Sequence, residues 1–132
     1  MSKTFEPAGT PPPAKYGNVV AIALQYLGVP YVWGGESPAT GFDCSGLVAF
    51  VYAQVGVYLP HNAAAQYAYG VPVSRDQLEP GDLVFFDNLG HVGLYIGGGN
   101  FEQAPQTGDV VKITNLDDPW AVSHYYGARR IT

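Results

Sequence analysis

The chain has 132 residues, enough for one domain with a continuous hydrophobic core. Hydrophobic residues make up 47% of it and charged residues 13%, a composition that excludes a disordered chain. The formal net charge is −5 with only six Lys and Arg, so nucleic acid is not an expected partner. No apolar run approaches the roughly 18 residues of a membrane span, and we expect a monomer without membrane insertion.

The first half of the chain predicts helices. Residues 1–14 contain four Pro without periodicity, which indicates a proline-rich tail or linker ahead of one domain. Apolar residues at helical spacing predict a first helix over 15–27 and a second over 44–55. Residues 29–43 form a Gly- and Pro-rich loop between them, and the Ala-rich stretch 61–69 predicts a short third helix.

The second half of the chain predicts strands. After the Pro-Gly-Asp turn, short apolar segments separated by Gly or Pro occupy residues 83–86, 92–96, 101–103, 110–113 and 125–131. Helices followed by a meander of strands predict an α+β domain. We expect N-terminal helices packed on a C-terminal antiparallel sheet of about five to six strands.

The only cysteine, Cys44, lies at the start of the second helix. Unpaired backbone N–H groups and the helix dipole favour an anion there, and such a setting beside a cation lowers a thiol pKa to roughly 3.5–7.5. Cys44 is therefore a candidate nucleophile, although a buried cysteine that only packs is the alternative. Asp43 or Ser45 could instead serve as a helix cap.

Three histidines are candidates for the base that a nucleophilic thiol needs. His91 opens a strand directly after a turn, where a rigid scaffold meets a cleft, and is the preferred candidate. A surface or N-cap position is expected for His61, and a packed or solvated position for His124. One Cys and three separated His lack metal-ligand spacing, so no metal or other cofactor is predicted.

A third polar residue would orient the far nitrogen of the imidazole. Strand alternation sends Glu102 and Gln103 to opposite faces, so only one of them can face His91. Glu102 would stabilise an imidazolium more strongly because it is charged. The register of the strands, which the sequence leaves open, decides between the two.

Five motifs in order resemble the NlpC-type cysteine peptidases, bacterial cell-wall endopeptidases with a papain-like core. The resemblance covers about residues 15–132. Its motifs are PYVWGG at 30–35, DCSGLV at 43–48, PGDLVFF at 80–86, HVGLYIG at 91–97 and Ala104-Pro105.

The resemblance implies a catalytic set of Cys44 as nucleophile, His91 as base and Gln103 as the third polar residue. That third place is commonly His and sometimes Glu, Gln or Asn, so Gln103 is a tolerated departure that leaves the base without a charged partner. Glu102 stays the alternative third residue.

Three further residues match positions near the nucleophile of the family. Tyr31 matches a tyrosine that helps the oxyanion hole or holds substrate, although a core ring with a satisfied hydroxyl is the alternative. Asp43 and Ser45 match residues that line the substrate groove, and Asp43 resembles a carboxylate that binds the stem-peptide amine in some members.

The resemblance implies a peptidoglycan endopeptidase, secreted or associated with the cell wall, that cleaves the stem peptide between D-glutamate and the diamino acid. Two alternatives remain: a weakly active module that binds peptidoglycan, and a papain-like amidase or acyltransferase with another acyl group. A phage origin or cytoplasmic recycling of muropeptides also stays open. Separately, residues 5–14 could lie over the cleft as a polyproline segment.

Overall fold

The computed structural model describes residues 10–132, which form helices and a sheet in the predicted order. The α-helices are α1 (Val19–Leu24), α2 (Cys44–Ala53), α3 (Ala63–Gln66) and α4 (Pro119–His124), with a 3₁₀ turn at Arg75–Gln77 and a left-handed turn at Asp87–Leu89. The strands are β1 (Glu36–Ser37), β2 (Gly41–Phe42), β3 (Val71–Pro72), β4 (Leu83–Phe86), β5 (His91–Gly97), β6 (Asn100–Gln103), β7 (Lys112–Asn115) and β8 (Tyr125–Arg130).

Six strands form one antiparallel sheet in the order β3-β8-β4-β5-β6-β7. Strands β4, β5, β6 and β7 are neighbours both in sequence and in space, as a meander requires. The last strand, β8, returns to pair with β4, which places β4 inside the sheet. The α+β architecture with a six-stranded antiparallel sheet is therefore confirmed.

The sheet is covered on both faces, which explains why the LVFF run of β4 is buried at every position. One face packs against α1 and α2 in a cluster that includes Val19, Leu47, Val51, Phe85, Val92 and Leu94. The other face packs beneath α4 and includes Val84, Phe86, Phe101, Leu116 and Ala121. Helix α2 is thereby fixed against the centre of the sheet, and its first residue lies near the start of β5.

Three elements are shorter or shifted relative to the prediction. Helix α1 occupies only Val19–Leu24 and is followed by turns up to Gly28, whose amide donates to the Val111 carbonyl at 2.9 Å. Helix α3 spans only Ala63–Gln66. The strand expected over 110–113 runs from Lys112 to Asn115 instead, since Val110 forms an isolated bridge with Pro30.

Three elements were not predicted: the β1–β2 hairpin, strand β3 and helix α4. Strands β1, β2 and β3 have two residues each, too few for any alternation to be visible. Helix α4 does carry a sequence signal. Asp118 accepts a hydrogen bond from the Trp120 amide, and Pro119 stands at the first helical position.

The described end of the proline-rich tail and the start of β5 lie at opposite ends of β4. The Pro12 carbonyl accepts a hydrogen bond of 2.8 Å from Arg130, which also binds Asp82 immediately before β4. His91 pairs with Phe86 at the other end of β4. The part of the proposed cleft cover that precedes Thr10 lies outside the described residues.

No helix within residues 10–132 combines the length and the hydrophobicity needed to cross a bilayer.

Candidate active site

Cys44 is the first residue of α2, and the residue before it caps the helix. The Asp43 carboxylate accepts a hydrogen bond of 2.8 Å from the Gly46 amide through Oδ1. Its other oxygen accepts one of 2.9 Å from the Gly34 amide. One carboxylate thus joins the start of α2 to the PYVWGG loop, which explains why the two motifs occur together.

The glycines of these motifs allow the loop and the helix to touch. A Cβ on Gly46 would overlap the carbonyl oxygen of Gly35, and a Cβ on Gly35 would overlap the carbonyl oxygen of Gly41. The same Gly35 carbonyl accepts a hydrogen bond of 2.9 Å from the Asp43 amide. Close backbone approach therefore accounts for both positions.

Cys44 is partly exposed in a cavity of about 470 Å³. The cavity is lined by the loop, the start of α2, the segment before α3 and the turn before β5: Tyr31, Trp33, Gly34, Asp43, Ser45, His61, Asn62, Ala63, Leu89 and Gly90. The thiol is thus accessible to a ligand of the size of a small peptide rather than enclosed in the core.

The expected low pKa of the Cys44 thiol is not found in this resting site. Burial raises the pKa, and the negative charge of Asp43 adds to the rise, although backbone N–H groups of Val92, Ser45 and Cys44 oppose it by hydrogen bonding to the sulfur. Desolvation therefore outweighs the amides at the helix start. Cys44 nevertheless packs against the core cluster that contains Val92 of β5, one residue beyond His91.

His91 is buried at the start of β5 and is held from behind by Gln103. Its Nε2 lies 2.7 Å from Gln103 Oε1, and Gln103 Nε2 donates to Thr114 Oγ1 at 2.8 Å. With Oε1 as the acceptor, the proton is on Nε2 and the lone pair on Nδ1. Burial lowers the pKa of His91, while the Gln103 hydrogen bond and the charge of Asp87 oppose this. The resting thiol and imidazole are both shifted toward their neutral forms.

The turn Asp87–Leu89 positions His91 at the strand start. All three of its residues have positive φ angles, 54°, 51° and 74°, an uncommon backbone for residues other than glycine. Leu89 lines the Cys44 cavity, whereas Asp87 and His91 line a second cavity of about 400 Å³. The turn therefore contributes residues to both cavities.

The second cavity contains both the His91 ring and the Gln103 amide. Trp120 of α4 meets the His91 ring edge to face, with centroids 5.9 Å apart. The carboxylates Asp87, Asp109 and Asp118 and the amine of Lys112 also line this space. Trp120 thus shields one side of the imidazole while leaving open space beside it.

Of the two candidates for the third residue, the structure places Gln103 beside His91. Glu102 points to the opposite face of β6, where it is fully buried. Neither of its carboxylate oxygens has a hydrogen-bond partner among the described residues. Burial accordingly raises the pKa of Glu102 to about 8.

Most of this chain matches a known protein family. The family model described as the NlpC/P60 family matches residues 28–130. The chain belongs to the NlpC/P60 family.

Two relatives of this chain are named for different activities. The chain is 46% identical over 116 residues to the murein DD-endopeptidase MepH of Escherichia coli K12, covering 82% of this chain and 43% of that protein. It is 44% identical over 118 residues to a gamma-DL-glutamyl hydrolase of Bacillus subtilis 168, covering 85% of this chain and 28% of that protein. The chain thus spans less than half the length of these two relatives.

Solved NlpC/P60 structures share the fold. An NlpC/P60 family protein from Bacillus cereus superposes with a TM-score of 0.82 at 36% identity, covering 89% of this chain and 41% of that one. The NlpC/p60 domain of the peptidoglycan hydrolase SagA gives 0.79 at 38% identity, covering 89% of this chain and 100% of that one. Membership in the family and its papain-like fold are thereby confirmed.

The environment differs among Ser45, Tyr31 and His124 of this NlpC/P60 domain. Ser45 is buried, and its carbonyl accepts a hydrogen bond of 3.0 Å from Gln66. Tyr31 lines the Cys44 cavity, where burial and then the charges of Cys44 and Asp43 raise the pKa of its phenol. His124 is stacked on Trp120 with centroids 4.8 Å apart. The described residues contain no group of three His, Cys, Asp or Glu arranged to hold a metal ion.

The expected capping role of His61 is wrong, whereas the expected surface position agrees with a side chain that is 25% exposed. The cap of α3 is Asn62, which accepts from the Ala65 amide at 2.8 Å, and His61 instead bridges two carboxylates beside Cys44. Sequence reasoning also missed Thr114 and Trp120 as neighbours of the His91–Gln103 pair. For Trp120, the Asp-Pro start of α4 was an available signal, whereas the role of Thr114 depends on strand register alone.

Proposed function

We propose that this chain is a peptidoglycan endopeptidase that cleaves an amide bond of the stem peptide through a Cys44 acyl-enzyme. The geometry that carries the proposal is the position of Cys44 in a cavity at the start of α2, which packs against β5, while the imidazole at the start of β5 is held by Gln103. Membership in the NlpC/P60 family supports it independently. Because peptidoglycan lies outside the cell membrane, we propose action in the cell wall.

His91 is suited to move the proton in both directions. Its Nδ1 has no hydrogen-bond partner among residues 10–132, so it can take the thiol proton as the sulfur attacks the amide carbon. The C–N bond then breaks as the imidazolium returns the proton to the leaving amine. Water, deprotonated by His91, hydrolyses the thioester, and the released proton returns to the thiolate.

The oxygen of the tetrahedral intermediate carries a negative charge. It needs hydrogen-bond donors on the side of Cys44 that faces the cavity. The Cys44 backbone N–H at the start of α2 is one candidate, since the first amides of a helix have no partner within it. The Tyr31 hydroxyl in the same cavity is the second. Removal of one oxyanion donor typically costs about 10²- to 10³-fold in rate, and we expect a loss of this size for Tyr31→Phe.

The bond that we propose is the one between D-glutamate and the diamino acid. The name of the gamma-DL-glutamyl hydrolase relative favours a glutamyl bond. The name of the DD-endopeptidase relative indicates a different bond. Mass analysis of purified sacculi treated with the protein distinguishes these bonds, because each exposes a different new amine. We expect fragments that begin with the diamino acid, and none with Cys44→Ala.

Cleavage at a D-alanyl linkage would support the proposed hydrolase activity but contradict the proposed bond. Absence of new amine termini, or equal release by Cys44→Ala, would contradict the proposed activity. Turnover of a lipid or small amide instead would indicate a papain-like amidase or acyltransferase.

A second candidate is a peptidoglycan-binding module with little turnover. The raised pKa of the Cys44 thiol and the neutral Gln103 behind His91 favour it. In that case the chain would co-sediment with sacculi while leaving their fragment masses unchanged. Cys44→Ala would then bind as well as the wild type.

A further inference from the structure

The His61 ring lies between two carboxylates at the edge of the Cys44 cavity. Its Nε2 is 2.6 Å from Asp43 Oδ1, and its Nδ1 is 3.1 Å from Glu36 Oε2. Asp43 precedes α2, and Glu36 belongs to β1. One side chain from the segment before α3 therefore ties together two other walls of the cavity.

This geometry requires a proton on each ring nitrogen. A neutral imidazole has one N–H, so one of the two carboxylates would face a lone pair at hydrogen-bond distance. An imidazolium donates to both. Burial acts to lower the pKa of His61, but the hydrogen bonds and charges of Asp43 and Glu36 outweigh it and raise the pKa above its ordinary value.

Asp43 links His61 to the nucleophile. Its carboxylate accepts hydrogen bonds from Gly34, Gly46 and His61, so the ring helps to hold the cap of the helix that begins at Cys44. The negative charge of Asp43 also raises the pKa of the Cys44 thiol. A cation 2.6 Å from Asp43 Oδ1 offsets that charge and favours the thiolate.

We propose that His61 is a proton-dependent positioning residue, whose imidazolium fixes Asp43 and Glu36 in the cavity wall and makes the Cys44 thiolate easier to form. The part that concerns turnover rests on the proposed function, whereas the part that concerns the thiolate does not.

Loss of the His61 proton has two consequences. One of the two hydrogen bonds disappears, and we expect it to be the one to Glu36, which is longer and whose side chain is 69% exposed. The negative charge of Asp43 is also no longer offset. The titratable groups that face this ring are Asp43 and Glu36, with Cys44 and Tyr31 across the same cavity.

Alkylation of Cys44 by iodoacetamide, followed by intact mass across pH, tests the thiolate directly. At pH 7 we expect labelling of His61→Gln to be about three- to tenfold slower than that of the wild type, which corresponds to a thiol pKa higher by about 0.5–1. His61→Arg keeps a cation beside both carboxylates at every pH, so it should restore rapid labelling.

Lys15→Gln is the charge-matched control because it removes one cation near Tyr16, outside the cavity lining. It should label like the wild type. Equal labelling rates for wild type, His61→Gln and His61→Arg would overturn the proposal, as would equal slowing by Lys15→Gln.

Glu36→Gln provides a second measurement that leaves His61 in place. NMR titration of the ring should give a lower His61 pKa in Glu36→Gln than in the wild type, because one of the two carboxylates has been neutralised. An unchanged His61 pKa would contradict the bridge in solution. This result does not depend on the folding of any His61 variant.

The pH profile of stem-peptide cleavage separates failure of this inference from failure of the proposed function. We expect His61→Gln to lower kcat/KM most near neutral pH and His61→Arg to extend activity to higher pH. If the wild type cleaves peptidoglycan and both variants have the same pH profile as the wild type, only the role of His61 in turnover is overturned. Wild type that never cleaves it, but shows the labelling differences, would overturn only the proposed function.

Discussion

Gln103 holds the base of this site without charge, although an anionic neighbour would stabilise the imidazolium more. It contacts His91 through Oε1 and Thr114 through Nε2, so both ends of its amide are engaged. Its contribution is therefore orientation of the ring and choice of tautomer. The neighbouring Asp87 supplies the charge that acts to raise the pKa of His91.

Removal of the Gln103 side chain tests this role. We expect Gln103→Ala to lower kcat by about 10- to 100-fold, the usual cost of losing a residue that orients a functional imidazole, with KM nearly unchanged. Gln103→Glu should retain most activity and move the acidic limb of the pH profile upward, because a carboxylate raises the pKa of the imidazole that must be neutral to accept the thiol proton. Steady-state kinetics on one stem peptide measures both. A rise in KM with kcat unchanged would instead place Gln103 in substrate binding.

Glu102 predicts a pH-dependent stability that is unrelated to catalysis. The folded protein keeps its proton up to about pH 8, whereas the unfolded chain releases it near the ordinary value of 4.5. Between these values the folded state binds more protons, so the free energy of unfolding must fall as pH rises. The slope approaches about 1.4 kcal/mol per pH unit for one group.

Glu102→Gln should abolish this slope, since an amide of the same shape cannot ionise. Urea unfolding at intervals between pH 5 and pH 9 measures the difference. Asp76→Asn, at an exposed carboxylate, is the matched control and should follow the wild type. A wild-type stability that does not decline across this range would contradict the raised pKa of Glu102.

At the scale of elements, the start of α2 depends on contact between two backbones. Gly46 lies against the Gly35 carbonyl, which cannot move without breaking its hydrogen bond to the Asp43 amide. We expect Gly46→Ala to lower the free energy of unfolding by about 1–3 kcal/mol, the usual cost of overpacking, and to reduce activity more than stability alone explains. Activity falls because Cys44 moves with the helix start.

Gly17→Ala is the matched control for this variant. Its Cβ would have an ordinary contact of 3.6 Å with the Pro80 carbonyl, and its φ is not in the left-handed region. Thermal melts and activity assays of the two variants together separate steric overlap from a general effect of losing a glycine. Equal behaviour of both would contradict the backbone contact as the cause.

On the scale of the whole molecule, the candidate active site lies at one end of β4, and a polar anchor formed around Arg130 lies at the other end. Arg130 is 2% exposed and donates to both oxygens of Asp82, to the Gln77 carbonyl and to the Pro12 carbonyl. The tail residue Pro12 thus belongs to this anchor rather than to the Cys44 cavity. Tail contacts should therefore influence stability and leave catalysis unaffected.

A chain that begins at Lys15 tests this separation. It loses the hydrogen bond from Arg130 to Pro12, and we expect a loss of about 0.5–1.5 kcal/mol in stability with kcat/KM equal to that of the full chain. Thermal melts and peptide kinetics measure the two effects. Higher activity after truncation would instead support a tail that covers the cleft.

The sequence by itself determined the features that arise from neighbouring residues. Cys44 could be placed at a helix start because the apolar stripe after it has helical spacing, and His91 at a strand start because a turn precedes it. The meander of β4 to β7 followed from short segments separated by turns, whereas the return of β8 to pair with β4 was not predicted. Motif resemblance then gave the family, which the comparisons confirmed.

Only the tertiary structure decided which side chains meet across those elements. Strand register brought Gln103 and Thr114 to His91 and left Glu102 buried without a partner. Chain folding carried His61 to Asp43, 18 residues away, which spacing cannot reveal. Burial, which depends on everything packed around a group, raised the pKa of Cys44 against the local effect of its helix. Side-chain contacts and desolvation depend on the whole folded protein, whereas hydrophobic periodicity can be read from the amino-acid sequence alone.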